Sequence, residues 1–457
     1  MKIIIIGLGN TGTLLAERIS MEYHDVMVID ESKSKVESIT DRLNVSGICG
    51  AGASRETLMR AGANLADVIV ALTPSDETNL MACAVAKQCG TRFSIAKMEN
   101  PELCSEKKYY SEKFSVDCII TPKEDTALEI IHHIGLPGTV RAEGFFSSDA
   151  TLIKAGIDSS SSLNGMAVRD VRNFMETDML VVSVTREGKL YIPDASFIMK
   201  EGDLINIISS NRSLIQIMMK LELVRKKVKK VLIIGGGDVA YYLAGSLLKE
   251  KKSVTVLERN RDRCILLSQL LPNAKISCAE KIDEEVLAEE GIHSADVCVS
   301  LTGQDDTNLV VSMFAWASGV KSVITKVNSP SYEKLLNRVN IDITISPAVI
   351  SADKIISFIR NQAVPNVKGD DIECMHRIAG GLAEAVEFTA YDDFRYRDIP
   401  FRDEKFRIKK NTIIAVIIRN GIVIIPDGNS TIKKGDKVIV ITAGRKSRID
   451  ILNDIME

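Results

Sequence analysis

Histidine is scarce in this chain: 457 residues include five (His24, His132, His133, His293 and His376), beside a single tryptophan. General acid–base and metal chemistry draws heavily on clustered histidine. His132 and His133 are neighbours in a helical stretch, where adjacent side chains diverge by about 100° and do not face one site. Cys374-Met375-His376 offers too few ligands for a metal. The nine cysteines are odd in number and include no Cys-x-x-Cys pair. That argues against a disulfide framework and predicts buried, reduced thiols in a cytosolic protein. No nucleophile elbow, Walker lysine or His-Glu-x-x-His helix occurs. A net charge of −3 leaves no bulk electrostatic case for nucleic acid. No apolar run approaches the ~20 residues of a membrane helix. The four isoleucines after Lys2 stop at Gly7, short of a signal peptide's apolar core. The chain is expected to be soluble, and nothing in it asks for a catalyst.

What is present begins at once, in Lys2-Ile3-Ile4-Ile5-Ile6-Gly7-Leu8-Gly9-Asn10-Thr11-Gly12. The apolar run suits a buried parallel strand. The Gly-x-Gly-x-x-Gly after it predicts a tight turn into a helix: Gly7 takes the turn, Gly9 admits a pyrophosphate, and Gly12 lets helix and strand pack. The helix N-terminus then offers free N–H groups and a positive dipole end to phosphate. The next strand, 25–29, ends at Asp30, at the spacing that grips ribose hydroxyls. Glu31 follows, and two adjacent negative charges would repel the 2′-phosphate of NADP. The pattern predicts NAD or another adenine nucleotide.

The device recurs. Val231-Leu232-Ile233-Ile234 leads into Gly235-Gly236-Gly237-Asp238-Val239-Ala240, and the following strand ends at Glu258, which trails Gly235 by the same 23 residues that separate Asp30 from Gly7. An internal duplication is the simplest reading. Strand candidates 2–6, 25–29, 68–72, 93–97 and 117–120 alternate with helical stretches, which predicts a parallel, doubly wound sheet. The fold class expected is α/β, with two Rossmann-like domains, each followed by a small α+β lobe. The expected boundaries are 1–122, 140–224, 225–347 and 372–457, with crossover helices at 123–139 and 348–371.

Further matched pairs fill in the halves. Leu72-Thr73-Pro74-Ser75-Asp76-Glu77-Thr78-Asn79 returns as Leu301-Thr302-Gly303-Gln304-Asp305-Asp306-Thr307-Asn308. Helix capping by Ser75 or Asp76, with Asn79 serving a backbone group, would explain the retention. The alternative puts Thr73 and Thr302 beside a nucleotide. Lys97 and Lys326 end matching strands, each before a proline-initiated helix at Pro101 or Pro330, and are either solvated or paired with a phosphate. The crossover stretches carry broad apolar faces and end at breakers, Gly135 to Gly138 and Val364-Pro365. Each either covers its own sheet or crosses to a neighbouring domain. In the lobes, Arg186-Glu187-Gly188 matches Arg419-Asn420-Gly421, and Gly202-Asp203 matches Gly435-Asp436 as a turn signal. The run Arg225 to Lys230 reads as a solvated linker, with attraction to an anionic membrane surface as the lesser alternative.

Glycine fingerprint, acidic strand end, Leu-Thr-x-x-Asp-x-Thr-Asn loop, crossover helix and Gly-Asp lobe, all twice in one chain, resemble the TrkA family. Its members are cytosolic nucleotide-binding subunits of the Trk potassium uptake systems of bacteria and archaea, built from RCK (KTN) domains with TrkA-C lobes. The resemblance covers essentially the whole chain. It implies that the Gly7–Gly12 turn, Asp30, Thr73 and Lys97 contact NAD. The full candidate set is Gly7, Leu8, Gly9, Asn10, Thr11, Gly12, Asp30, Glu31, Thr73, Pro74 and Lys97, with Gly235, Gly236, Gly237, Asp238, Val239, Ala240, Glu258, Arg259, Thr302 and Lys326 in the second half. Two departures stand out. Cys49-Gly50-Ala51 and Cys278-Ala279-Glu280 replace the family's common Gly-Asp-Ala, and the second fingerprint ends in Ala240. Arg259 beside Glu258 would stack on adenine or accept an extra phosphate, so the second site is expected to discriminate less against ATP, ADP or NADP than the Asp30-Glu31 site does.

The expected function is therefore a regulatory subunit that binds NAD(H), or ATP or ADP, and gates a potassium-translocating membrane subunit from its cytoplasmic face. The alternative is an oxidoreductase of two fused nucleotide domains. A redox-sensing DNA binder is disfavoured by the charge. By the resemblance, crossover helices join such domains into rings. Four chains would supply eight domains, so a homotetramer is expected, held partly by the apolar faces of 127–134 and 349–359.

Overall fold

Both halves build the same six-stranded parallel sheet. A computed structural model describes residues 1–21, 24–134, 141–145, 150–159, 161–210, 213–221, 228–329, 343–363, 372–378, 383–392, 394–443 and 452–457. The first half contains β1 (Lys2–Ile6), α1 (Asn10–Ser20), β2 (Asp25–Asp30), α2 (Lys33–Arg42), β3 (Ser46–Cys49), α3 (Arg55–Arg60), β4 (Val68–Ala71) and α4 (Asp76–Cys89). It continues with β5 (Phe93–Lys97), α5 (Pro101–Ser105), α6 (Lys107–Phe114), β6 (Cys118–Ile120) and α7 (Pro122–His133). The strands run in the order β3-β2-β1-β4-β5-β6, so the switch point lies between β1 and β4, where such sheets open a crevice beyond their strand ends. The isoleucines of β1 show why the strand has no polar alternation. Ile3 and Ile5 pack with Leu15 and Ile19 of α1, while Ile4 and Ile6 pack on the other face with Leu58, Ala82 and Ala86. Each fully buried side chain contributes roughly 1.5–3 kcal/mol relative to exposure.

The strand Ser46–Cys49 was not among the expected ones. It is an edge strand with only Ile48 half-buried among exposed neighbours, so it carries no apolar run to announce it.

After the first lobe (β7, Arg141–Phe145; β8, Ala150–Gly156; α8, Val168–Met175; β9, Met179–Arg186; β10, Lys189–Tyr191; β11, Leu204–Ser210; α9, Leu214–Lys220), the pattern restarts. The second half has β12 (Lys230–Ile234), α10 (Asp238–Lys249), β13 (Ser253–Glu258), α11 (Arg261–Leu270), β14 (Lys275–Cys278), α12 (Glu284–Glu289) and β15 (Val297–Ser300). It ends with α13 (Asp305–Ala317), β16 (Ser322–Lys326), β17 (Ile343–Ile345) and α14 (Pro347–Ala363). Its strand order, β14-β13-β12-β15-β16-β17, repeats the first.

The two halves exchange their crossover helices. Ala127 and Ile130 of α7 are buried among Val231, Leu243, Ala244 and Leu247 of the second half. Ala352, Ile355, Ile356 and Ile359 of α14 are buried among Ile3, Leu15, Ile19 and Val26 of the first. Phe358 meets Phe93 edge-on at 6.3 Å. Ion pairs join the same surfaces: Lys354 to Asp125 at 2.8 Å, and Arg18 to Asp353. This corrects the expectation for the faces of 127–134 and 349–359. Duplication supplies the partner domain within the chain, so those faces are filled there and are not left to join four chains.

The lobes form a separate unit, Gly135–Lys227 with Arg360–Glu457. Each has a five-stranded antiparallel sheet; the second comprises β18 (Ile372–Ile378), β19 (Ala383–Thr389), β20 (Thr412–Arg419), β21 (Ile422–Ile424) and β22 (Lys437–Ala443). Leu152, Val182 and Ile208 of one lobe share an apolar cluster with Ala385, Val416 and Ile439 of the other. The Gly-Asp signal proves to be more than a turn. Asp203 is fully buried and receives Arg186 through Nε and a terminal nitrogen, both at 2.7 Å. Asp436 receives Arg419 in the same fork, at 2.9 and 2.7 Å. Gly135 to Gly138, Arg225 to Lys227, Pro330, Val364-Pro365 and the side chains of Cys374-Met375-His376 lie outside the described residues.

Candidate nucleotide-binding sites

The first glycine turn lies where β1 meets α1, pressed against the end of β4. Gly7 has φ +94°, and a Cβ there would sit 2.9 Å from the Leu72–Thr73 peptide. Gly12 is tighter still, since a Cβ would lie 1.9 Å from the Gly7 carbonyl oxygen. Gly9 is different: a Cβ would meet nothing within 4 Å, so this residue borders open space. Gly9 occupies the N-cap of α1, and no side chain caps that end. The backbone N–H groups of its first turn therefore keep an exposed, positively polarised end, the arrangement that binds phosphate.

Asp30 closes the turn from the side. One carboxylate oxygen accepts from the Leu8 N–H at 2.7 Å, the other from the Ser32 N–H at 2.9 Å. Each oxygen retains a lone pair for a further donor. Glu258 does the same in the second half, accepting from the Gly236 and Asn260 N–H groups. There Gly235, at φ +101°, abuts the Leu301–Thr302 peptide, and Gly237 borders open space at the uncapped end of α10. Leu8 is buried in its own half. At Gly236, the matching position, a Cβ would lie 2.7 Å from Leu267, which fills that volume instead. Glu31, Pro74 and Arg259 are exposed, and Thr11 and Val239 are half-buried.

The repeated Leu-Thr loop has a clear structural task. Asn79 is fully buried; its oxygen accepts from the Thr73 N–H and hydroxyl, and its amide donates to the carbonyls of Thr73 and Lys97. Asn308 makes the same four bonds with Thr302 and Lys326. One amide thus clamps the ends of two adjacent strands beside each glycine turn. Ser75 caps α4, accepting from the Thr78 N–H at 3.1 Å. Asp76 does not cap; it accepts from the N–H groups of Glu99 and Asn100 and fixes the loop after β5, as Asp305 does with Asn328 and Ser329. The Thr73 hydroxyl is engaged by Asn79 but lies at the half-exposed loop surface next to Gly7.

The strand-end lysines differ. Lys97 pairs with Glu99 at 2.8 Å. Lys326 reaches toward the Leu301 carbonyl at 3.4 Å, and burial lowers its ammonium below the ordinary range despite the opposing influence of Asp305. Two residues escaped notice in the sequence. Arg263 of α11 donates to the Gly236 carbonyl at 2.7 Å and to Asp238 at 2.8 Å, and Lys123 of α7 reaches Asp238 at 2.7 Å. Neither belongs to a repeated motif; only the exchange of helices brings Lys123 there.

A family profile for the TrkA-N domain matches residues 3–122 and 231–347, the two sheets just described. The chain belongs to the TrkA family. The Trk system potassium uptake protein TrkA of Vibrio alginolyticus is 29% identical over 456 residues, 99% of this chain and 98% of that protein. TrkA homolog 1 of Methanosarcina mazei is 30% identical, with 97% of each chain covered. Among solved structures, the GsuK channel bound to NAD resembles the fold with a TM-score of 0.64 at 13% identity, covering 97% of this chain and 77% of that one. The isolated GsuK RCK domain gives 0.63 at 14% identity, covering 97% and 92%. The TrkA-family fold accounts for both halves and for the lobes after them. The residues present fit a dinucleotide: open backbone at Gly9 and Gly237, uncapped helix ends, and a carboxylate beside each turn.

Proposed function

We infer that this chain is a regulatory subunit of a potassium uptake system, one that binds adenine nucleotides and passes the signal to a membrane-embedded potassium-translocating partner. The observation that carries this reading is the repeated glycine turn with its uncapped helix end and acidic strand end, in a chain matching TrkA proteins along nearly its whole length. The turn N–H groups of residues 10–12 and 238–240 would take the pyrophosphate, Asp30 and Glu258 the ribose hydroxyls, and Thr73, Lys97, Thr302 and Lys326 the facing edge. NAD(H) is the ligand proposed for the first site. ATP or ADP is proposed for the second, where Arg259 and Arg263 add positive charge. Among the described residues no helix is long and apolar enough to cross a membrane, so the output is proposed to act on another protein at the cytoplasmic face. Gating requires that a nucleotide bind two shapes of the subunit with unequal affinity, because equal binding shifts nothing. A tetramer, giving eight nucleotide domains, is the assembly proposed; its contacts would use surfaces other than the exchanged helices.

The competing reading is hydride transfer. His132 and His133 both pair with Glu129 on α7. The test uses purified full-length chain with NADH, ATP and ADP. Thermal stability should rise with nucleotide, with no loss of absorbance near 340 nm on adding candidate carbonyl substrates. Reproducible turnover of NADH would overturn the regulatory reading.

A further inference from the structure

The second glycine turn carries a carboxylate where the first does not. Asp238 replaces Asn10 at the first position of its helix, the end toward which an anionic ligand is drawn. Two cations compensate it. Arg263 holds one oxygen at 2.8 Å, and Lys123, the second residue of α7, holds the other at 2.7 Å. Lys123 also lies 3.5 Å from Glu99, whose other oxygen accepts from Lys97 at 2.8 Å. An unbroken series of alternating charges, Lys97, Glu99, Lys123, Asp238 and Arg263, therefore runs from the strand-end lysine of the first site to the turn of the second. All five side chains are 13–33% exposed, so solvent screens them only in part. Burial alone would lower the Lys123 ammonium, but Asp238 and Glu99 outweigh it and hold it above its ordinary value. Burial would raise the Glu99 carboxyl, yet Lys97 and Lys123 hold it below.

Among the described residues, the matching positions do not carry the reverse series. The residue two beyond Lys326 is Asn328, against Glu99 two beyond Lys97. The residue after Pro347 is Ala348, against Lys123 after Pro122. Among the described residues, the series is built from the first half's side.

We propose that this series couples the two nucleotide sites antagonistically, so that a phosphate-bearing ligand at either site weakens binding at the other. A phosphate drawn to Lys97 competes with Glu99 for that cation. Glu99 then takes a larger share of Lys123, Asp238 is left chiefly to Arg263, and its uncompensated charge faces the second turn. In the other direction, a phosphate at the second turn draws Lys123 away from Glu99, which holds Lys97 more firmly and away from the first site. The two directions agree, as linkage requires. The inference rests on both turns being nucleotide sites.

Calorimetry with ADP on the full-length chain tests it. Gly9→Val and Gly237→Val each block one turn without adding charge, and give the intrinsic affinity of the site left open. In the unaltered chain, the product of the two binding constants should fall about 5- to 150-fold below the product of the intrinsic ones, the usual range of coupling between sites. Glu99→Gln or Lys123→Met should bring the two products within twofold. Binding at both sites with no deficit in the unaltered chain would overturn the coupling alone. So would a deficit that survives both substitutions. Absence of ADP binding in every variant and in the unaltered chain would overturn the nucleotide reading and this inference with it.

Discussion

Ile130→Ala is the sharpest probe of how the halves depend on each other. Ile130 sits on α7 of the first half, is fully buried, and packs among residues of the second. The change deletes three methyl or methylene groups, a transfer loss of about 2.4 kcal/mol at ~0.8 kcal/mol per group. The cavity left beside Leu243, Ala244 and Leu247 raises the expected cost to about 3–4 kcal/mol, within the range for such truncations. A domain's whole stability is typically about 5–15 kcal/mol, so this one side chain should lower the denaturant midpoint of the Rossmann pair visibly. Leu128, two residues earlier and 46% exposed, is the internal control. Its replacement by alanine should change stability by no more than ~0.5–1 kcal/mol, as exposed sites do. Urea unfolding followed by circular dichroism reads both. Equal, small losses for the two variants would mean that α7 does not cover the second half, and the exchange of helices would be refuted.

Other outcomes follow from the sites and lobes. Asp30→Ala should weaken NAD(H) binding by about 1–3 kcal/mol, the cost of losing charged hydrogen bonds; unchanged affinity by calorimetry would remove Asp30 from the ribose contact. Asn79→Ala should strand the Thr73 N–H and two carbonyls, lowering stability by about 2–3 kcal/mol, and should also loosen the first nucleotide site. A melting temperature within one degree of the unaltered chain would rule out the clamp. Burial tends to raise the Asp203 carboxyl, but Arg186 and the Lys200 N–H outweigh it and hold it below its ordinary 3.8. A carboxyl lowered on folding stabilises fully above its unfolded value and loses that contribution as the pH falls through the folded one. Lobe stability should thus drop below about pH 4 in the unaltered chain. The double variant Arg186→Leu, Asp203→Leu should show a smaller drop in pH-dependent urea titrations.

Much of this architecture was legible because β1 and β12 are buried on both faces and so read as plain apolar runs, and because duplication repeats every turn. The glycine turns were legible for the same reason: a positive φ at Gly7 and contact at Gly12 tolerate few substitutes. Strand β3 was not, since an edge strand with one half-buried side chain carries no periodic signal. The roles of Asp203 and Asp436 were hidden because the matching arginines stand 17 residues earlier, and sequence shows each as part of a separate turn. Lys123 and Arg263 were hidden for other reasons. The meaning of Lys123 depends on which half α7 lies against, and both choices give the same amphipathic pattern; Arg263 lies 25 residues beyond Asp238, outside the glycine turn.

The covalent joining of the halves also changes what substitution can achieve. When two identical subunits pair, any altered residue appears at both ends of the contact, so a lysine helpful on one side must be tolerated on the other. Here Lys123 stands opposite Asp238 while the mirrored place holds Ala348 and Asn10. A gene that encodes both partners can tune one end alone, and can make two pockets of common descent answer to different molecules.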